Sequence, residues 1–168
     1  HPKDFSDELI DVLAQNEKIA RHVHLPLQSG SDRILKRMNR RHTKEQYISL
    51  AQKIRDRIPD VSLTTDIIVG FPGETEEDFT NLAEFVVSTR FDKLGCFPYS
   101  AEEGTVAAKM EDKTPKEEKS NHLRELIGLQ SEISEKKNKE RIGKTKRVLF
   151  DSLGKEEGFI SGRDEQNI

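Results

Sequence analysis

The chain has 168 residues, with 28 Lys and Arg against 31 Asp and Glu for a formal net charge of -3, 33% hydrophobic residues, no Trp and one Cys. That length accommodates one domain, or one domain with the start of a second. The single Cys excludes an internal disulfide framework and any cysteine-ligated cluster built from this chain alone, and the charge balance excludes a strongly basic nucleic-acid domain while permitting a local basic face.

The low hydrophobic fraction raises the question of disorder, but Leu63 to Phe71 and Lys93 to Tyr99 are apolar, turn-bounded and strand-like, so a folded protein with very polar helix surfaces is expected. No apolar run approaches about 18 residues and no signal peptide is present, which points away from a membrane and towards the cytoplasm. The opening His1 and the strand-like end from Phe159 to Ile168 read as an excerpt of a longer protein.

Asp4 to Ala14 carries Phe5, Leu9, Ile10, Val12 and Leu13 near helical spacing, with Ser6 or Asp4 as N-cap. His22 to Leu27 reads as a buried strand running into the turn Gln28-Ser29-Gly30. Ser31 and Asp32 cap a short helix through Met38, and Thr43 with Gln46 forms a capping box for the helix bearing Tyr47, Leu50, Ile54 and Ile58. Val61 to Val69 is the next strand, followed by the turn Gly70-Phe71-Pro72-Gly73 and a helix capped by Thr75 and Asp78. Phe91 to Tyr99 is the third strand. Thr114, Pro115 and Glu117 then supply an N-cap, an N1 proline and a capping-box acid for the longest helix, which runs to about Arg141.

Alternating strands and helices at this spacing call for parallel strands with right-handed crossovers, as in a barrel or an open α/β sheet. After Gly143 the pattern changes. Thr145 to Asp151 and Gly158 to Ser161 are two short strands around a charged, Gly-containing turn, the start of a separate all-β module with its boundary near Ile142.

Ligands of parallel α/β folds lie outside the carboxyl ends of the strands. The residues there are His24 to Ser31, Thr64 to Glu74, and Phe97 to Ser100. Gly70 and Gly73 either let backbone approach a ligand or simply form a tight turn, with Glu74 favouring the helix dipole. No Gly-Lys-Ser/Thr follows, so this is not a phosphate loop. Asp66, inside an apolar strand, needs a partner: an Arg at the barrel end, or the hydroxyls or amino group of a ligand. His22 and His24 share a face but have no supporting carboxylate or Cys, so no metal is assigned to them. Cys96 reads as packing rather than as a nucleophile. Lys136, Lys137, Lys139, Arg141, Lys144, Lys146 and Arg147 cluster across the boundary, as a solvated face or as an RNA-contacting patch.

Three segments carry a resemblance: His-Leu-Pro-Leu-Gln-Ser-Gly-Ser-Asp from His24, Thr-Thr-Asp-Ile-Ile-Val-Gly-Phe-Pro-Gly-Glu-Thr from Thr64, and Glu-Gly-Thr from Glu103. Over essentially the whole chain the sequence resembles the radical S-adenosylmethionine methylthiotransferases. The resemblance implies an α/β fold, with the C-terminal half of a partial (β/α) TIM-like radical-SAM barrel in residues 1–142. The first strands of a small β-barrel, the TRAM module, would follow in residues 143–168.

It also implies S-adenosylmethionine and two 4Fe-4S clusters as cofactors of the complete protein, and an electron donor as partner. Neither the family's CxxxCxxC run nor its other three cluster cysteines occur here, so the cluster ligands would lie outside this chain, which alone would be inactive. In the family one cluster cleaves S-adenosylmethionine to a 5′-deoxyadenosyl radical that abstracts hydrogen from an unactivated C–H bond, and the second cluster is involved in supplying sulfur. By resemblance, Gln28 and Ser29 contact the cofactor's ribose or amino-acid part, Asp66, Gly70, Gly73 and Glu74 lie on the next strand, and Phe97 and Tyr99 lie beside the adenine. No catalytic residue is singled out.

The segment from His24 to Asp32, the Thr65-Asp66 pair, His1-Pro2, and Ser161-Gly162-Arg163 with Asn167 resemble the branch that 2-methylthiolates isopentenyladenosine in tRNA. Residues 91–95 and 102–105 resemble instead the branch acting on an aspartate of a small-subunit ribosomal protein. The tRNA branch is preferred because its matching segments line the barrel end, with Lys144, Lys146, Arg147 and Arg163 expected to contact RNA. A non-enzymatic RNA-binding adaptor, working through the basic junction, is the alternative of another class.

Overall fold

The computed structural model describes residues 2–154 and 156–168. His1, part of the His1-Pro2 resemblance, lies outside the described residues. After a 3-10 turn at Pro2–Asp4 come α1 (Asp7–Gln15), β1 (His22–His24), α2 (Asp32–Arg37), α3 (Lys44–Arg57), β2 (Ser62–Val69), α4 (Glu76–Thr89), β3 (Lys93–Pro98), a second 3-10 turn at Ala107–Lys109, α5 (Lys116–Lys139), β4 (Val148–Leu153) and β5 (Ile160–Asp164).

β1, β2 and β3 form one parallel sheet in that order, in register Val23 to Leu63, Asp66 to Gly95 and Ile68 to Phe97. Parallel neighbours need a crossover, supplied by α2 and α3 between β1 and β2 and by α4 between β2 and β3. The sheet does not close into a barrel among the described residues. β4 and β5 pair antiparallel in a separate sheet, as the change of pattern after Gly143 implies.

Strand alternation divides β2 between two environments. Leu63, Thr65, Ile67 and Val69 point to the helices and are buried. There they join Tyr47, Ala51 and Ile54 of α3, Phe79, Leu82, Phe85 and Val86 of α4, and Leu126 and Ile133 of α5 in one core. A chain only one-third hydrophobic supports this core because the large apolar side chains of the sheet and its covering helices converge there, while those of β4 and β5 stay exposed. The Tyr47 hydroxyl donates to the Leu25 carbonyl at 2.6 Å, so its burial carries no unsatisfied donor. Burial pushes the Tyr47 phenol well above its ordinary pKa.

Of the three Thr-led caps expected from sequence, Thr43 with Gln46 and Thr75 with Asp78 form capping boxes, and Thr114 with Glu117 does not. Several local expectations need correction. The β1 ladder stops at His24 rather than Leu27, because Pro26 has no N–H to donate and Gln28 sits at φ 76°. Leu25 and Gln28 nevertheless still donate to the Thr64 and Asp66 carbonyls. Ser31 does not cap α2, since its hydroxyl donates to Asp78 at 2.6 Å instead. In α5 the residue at the N-cap is Pro115, with no side-chain cap, which leaves Thr114 one residue outside the helix. That helix ends at Lys139, two residues before the expected end.

The β4–β5 unit packs against the amino ends of the parallel strands. Gln166 donates to the Asp60 carbonyl just before β2, Lys93 at the start of β3 donates to the Asn167 carbonyl, and Arg141 pairs with Asp164 at 3.4 Å.

Candidate cofactor site at the strand ends

The face of the sheet turned away from the helices carries His22 and His24 from β1, Thr64, Asp66 and Ile68 from β2, and Lys93, Gly95 and Phe97 from β3. It is polar and partly open, with His24 and Asp66 side chains 45% and 39% exposed. His22 Nε2 and His24 Nδ1 each lie 3.0 Å from Thr64 Oγ1, and His24 Nε2 lies 3.3 Å from Asp66 Oδ2. A hydroxyl between two rings donates to one and accepts from the other. With Nε2–H of His24 directed at the carboxylate, its Nδ1 accepts from Thr64, which in turn accepts from His22. Burial, with His24 and Lys93 alongside, holds the His22 pKa below its ordinary value.

The partner of Asp66 is thus His24 on the neighbouring strand, not an Arg. A Cβ at Gly95 would collide with Asp66 Oδ1 and lie 3.1 Å from the Phe97 ring. The absent side chain keeps the carboxylate and an exposed aromatic edge side by side on this face. Neither His24 as partner nor Gly95 as clearance is evident from local sequence, because both follow from the cross-strand register.

Gln28, nearly buried, lines a cavity of about 390 Å³ at the carboxyl end of the sheet with Arg37, Met38, Arg40, Ile68, Phe71 and Met110. Gly30 lets the loop touch α4, since a Cβ there would fall 2.6 Å from Leu82 Cα. Ser29 is buried, and its hydroxyl accepts from Ser31 N–H at 3.3 Å.

The turn after β2 is held from both sides. Arg37 Nε donates to the Pro72 carbonyl at 3.0 Å, and Arg33 donates to the Gly73 carbonyl at 2.8 Å while also pairing with Asp78. Gly70 and Gly73 sit at φ 67° and 83°, conformations that side-chain-bearing residues rarely adopt. Glu74 Oε1 accepts from Gly70 N–H at 2.7 Å, and its side chain faces α5 and His122 rather than the open face. Burial pushes the Glu74 carboxyl up to about 7, partly opposed by the Gly70 hydrogen bond and by His122.

Tyr99 likewise turns from the open face. Its ring meets Phe71 edge-on at 5.2 Å and lies under Lys119 Nζ, and its buried hydroxyl has no hydrogen-bond partner among the described residues. Cys96 packs against the core, where burial and then nearby Glu74 push its thiol up to about 12, the state of an unreactive thiol at neutral pH.

The strand ends therefore bring Gln28, Asp66 and Phe97 to one polar, partly open mouth, and do not bring the Glu74 and Tyr99 side chains to it. The four basic residues named from sequence lie far away, in and beside β4 and β5. Arg147 pairs with Glu165 and Arg163 with Asp151, whereas Lys144 and Lys146 have no ion-pair partner among the described residues.

The family profile described as the radical SAM superfamily matches residues 1–86. This chain belongs to the radical SAM superfamily. It is 47% identical over 167 residues to the tRNA-2-methylthio-N(6)-dimethylallyladenosine synthase of Caldicellulosiruptor saccharolyticus, covering 99% of this chain and 36% of that one. It is 49% identical over 168 residues to the synthases of the same name from Acetivibrio thermocellus and Thermotoga petrophila, covering 99% of this chain and 35% and 38% of theirs. The chain thus spans little more than a third of these curated relatives. Among solved structures it is similar to coproporphyrinogen III oxidase of Escherichia coli, a radical SAM enzyme, with TM-score 0.65 and 22% identity over 79% of this chain and 31% of that one. That likeness concerns the fold alone.

Radical SAM enzymes use S-adenosylmethionine and a 4Fe-4S cluster. The open face fits an adenosyl ligand: Asp66 offers acceptors, Phe97 an exposed ring, and the cavity by Gln28 an apolar wall of Ile68 and Phe71. The chain does not fit the cluster. It has one thiol, partly buried against the core, so cluster ligands have to come from outside these residues.

Proposed function

We propose that this chain is the second half of the radical-SAM barrel, residues 1–142, and the start of a β module, residues 143–168, of a tRNA methylthiotransferase. The observation that carries the reading is the 47–49% identity, over nearly the whole chain, to relatives named for 2-methylthiolation of dimethylallyladenosine in tRNA. Matches limited to the shared barrel would thin out beyond the strands, whereas these continue through the hairpin.

In this reading S-adenosylmethionine is the cofactor, and when bound it supplies hydrogen-atom abstraction from an unactivated C–H bond. The residues of this chain bind and orient it. Asp66, held in place by His24, accepts from a ribose hydroxyl or the amino group; Phe97 lies along the adenine; and Gln28 and Ser29 meet the ribose or amino-acid part from the loop above. The turn of Gly70, Gly73 and Glu74 fixes the end of β2, and Tyr99 backs it from the α5 side. The 4Fe-4S clusters, the electron donor and a cytoplasmic location belong to the complete protein. Among the described residues no helix is long and apolar enough to cross a membrane.

Deleting the gene is expected to remove the methylthio group from dimethylallyladenosine in the tRNA of that strain, read by mass spectrometry of tRNA nucleosides. Normal methylthioadenosine alongside an unmodified aspartate in a small-subunit ribosomal protein would overturn the reading. Lys144, Lys146, Arg147 and Arg163 form the proposed RNA handle, and their pairing divides them. Neutralising Lys144 and Lys146 is expected to lower the slope of log affinity for tRNA against log salt by about 0.7–0.9 per residue in the complete protein. Arg147 and Arg163 should contribute less, because each already faces a carboxylate.

A further inference from the structure

On the outer wall, away from the strand ends, α4 and α5 bring a second set of donors together. Glu76 opens α4, and Glu118 and His122 stand one turn apart on the same face of α5. One ligand atom from each of the three lies within 4.8 Å of the others. His122 is buried and stacks flat on Phe79, ring centroids 3.7 Å apart and planes 5° from parallel, so the direction of both ring nitrogens is fixed. Nε2 points to Glu76 Oε2 at 3.2 Å. Ligand atoms at about 2.0–2.2 Å around a tetrahedral ion are separated by roughly 3.3 Å; the His122–Glu76 pair already has that spacing, and Glu118, within 4.8 Å, has to close in on a bound ion.

Two further observations point to a ligand. Behind the ring, Glu74, with its side chain 2% exposed, places Oε1 4.0 Å from His122 Nδ1. Neither Nδ1 nor Glu74 Oε2, both buried, has a hydrogen-bond partner among the described residues. Carboxylates that orient metal-binding imidazoles stand behind the ring in this way; here Glu74 does so at 4.0 Å, an ion-pair distance rather than a hydrogen bond. The charge balance agrees: three glutamates converge here, and among the described residues no Lys or Arg pairs with Glu74, Glu76 or Glu118. The neighbouring Lys119 is committed to Asp112.

We propose that Glu76, Glu118 and His122 bind one divalent cation of the zinc type, with the Glu74 carboxylate standing behind the ring as a further negative charge. One imidazole with two carboxylates suits Zn²⁺ better than the all-oxygen preference of Mg²⁺ or Ca²⁺. Bound there, the ion ties the first turn of α4 to α5 and braces the turn after β2, whose Gly70 is overlain by Lys119 of the same helix.

The test is calorimetric titration with Zn²⁺ of the complete protein carrying its iron-sulfur clusters, so that the cluster cysteines are already occupied. The single Cys of these residues is partly buried against the core. One saturable equivalent is expected. Glu76→Gln and Glu118→Gln, both at positions open enough to leave folding intact, should each weaken it by about tenfold or more, and Glu74→Gln, outside the ligand set, by less. His122→Gln should abolish it, and Mg²⁺ in excess should not displace the zinc. His24→Ala is the control for the other histidine cluster and should leave zinc affinity unchanged, whatever it does to the cofactor face. Absence of a saturable equivalent, equal affinity in Glu118→Gln and His122→Gln as in the parent chain, or loss of binding in His24→Ala would each overturn the proposal.

Discussion

Asp66→Ala in the complete protein is expected to weaken S-adenosylmethionine binding by roughly 10- to 150-fold, the equivalent of the 1.5–3 kcal/mol typical of a hydrogen bond to a charged group. RNA affinity should stay within about twofold. The fold should tolerate the change, since the carboxylate is 39% exposed and its ion pair with His24 is of the weak surface kind, worth about 0–1 kcal/mol. Asp66→Asn, which keeps one acceptor facing the same way, should recover part of the loss. Gln28→Ala removes a neutral amide and should cost less, about 2- to 12-fold. Equilibrium binding of the cofactor to the three variants decides the matter: affinity unchanged in both alanine variants would make these residues parts of the scaffold.

Much of this site was legible in sequence because its elements are local. The two Thr-led capping boxes, the glycines after β2 and the switch to a hairpin after Gly143 are each written within a few residues, and the structure contains them all. Asp66 was identifiable as an oddity for a related reason: a carboxylate in an apolar strand has to be satisfied. Which group satisfies it depended on register. His24 reaches Asp66 only because β1 pairs with β2 with His24 opposite Thr64, and Gly95 clears its space only because it lies opposite Asp66 on β3. No window of sequence contains either relation.

The misreadings have the same origin. Ser31 looks like a helix cap, but a buried Asp78 brought alongside by α4 competes for its hydroxyl and wins. Glu74 looks like part of the cofactor turn, yet the first residues of α4 rotate its side chain to the far side, where Gly70 N–H and His122 meet it. The donor set on the outer wall was invisible for this reason too. Glu76 and Glu118 are 42 positions apart in the chain, and each by itself is an ordinary acid in the first turn of a helix.

Adding one methyl group at two glycines is expected to move stability in opposite directions. Gly30→Ala places a carbon 2.6 Å from the Cα of Leu82, a backbone atom in the middle of α4 that cannot swing aside. Either the loop or the helix has to shift, which should cost about 1–3 kcal/mol, as overpacking generally does. At roughly 2–4 °C per kcal/mol for a chain of this size, the melting temperature should fall by several degrees. The loop that shifts is the one carrying Gln28 and Ser29, so cofactor affinity in the complete protein should fall along with stability. Gly128→Ala lies within α5 where nothing stands within 4 Å of the new carbon, and there the helix gains propensity while the unfolded chain loses freedom. It should stabilise by about 0.5–1 kcal/mol and leave cofactor binding unchanged. Thermal unfolding of the two variants reads both signs, and a Gly30→Ala protein as stable as its parent would mean that the contact between this loop and α4 is looser than the structure makes it.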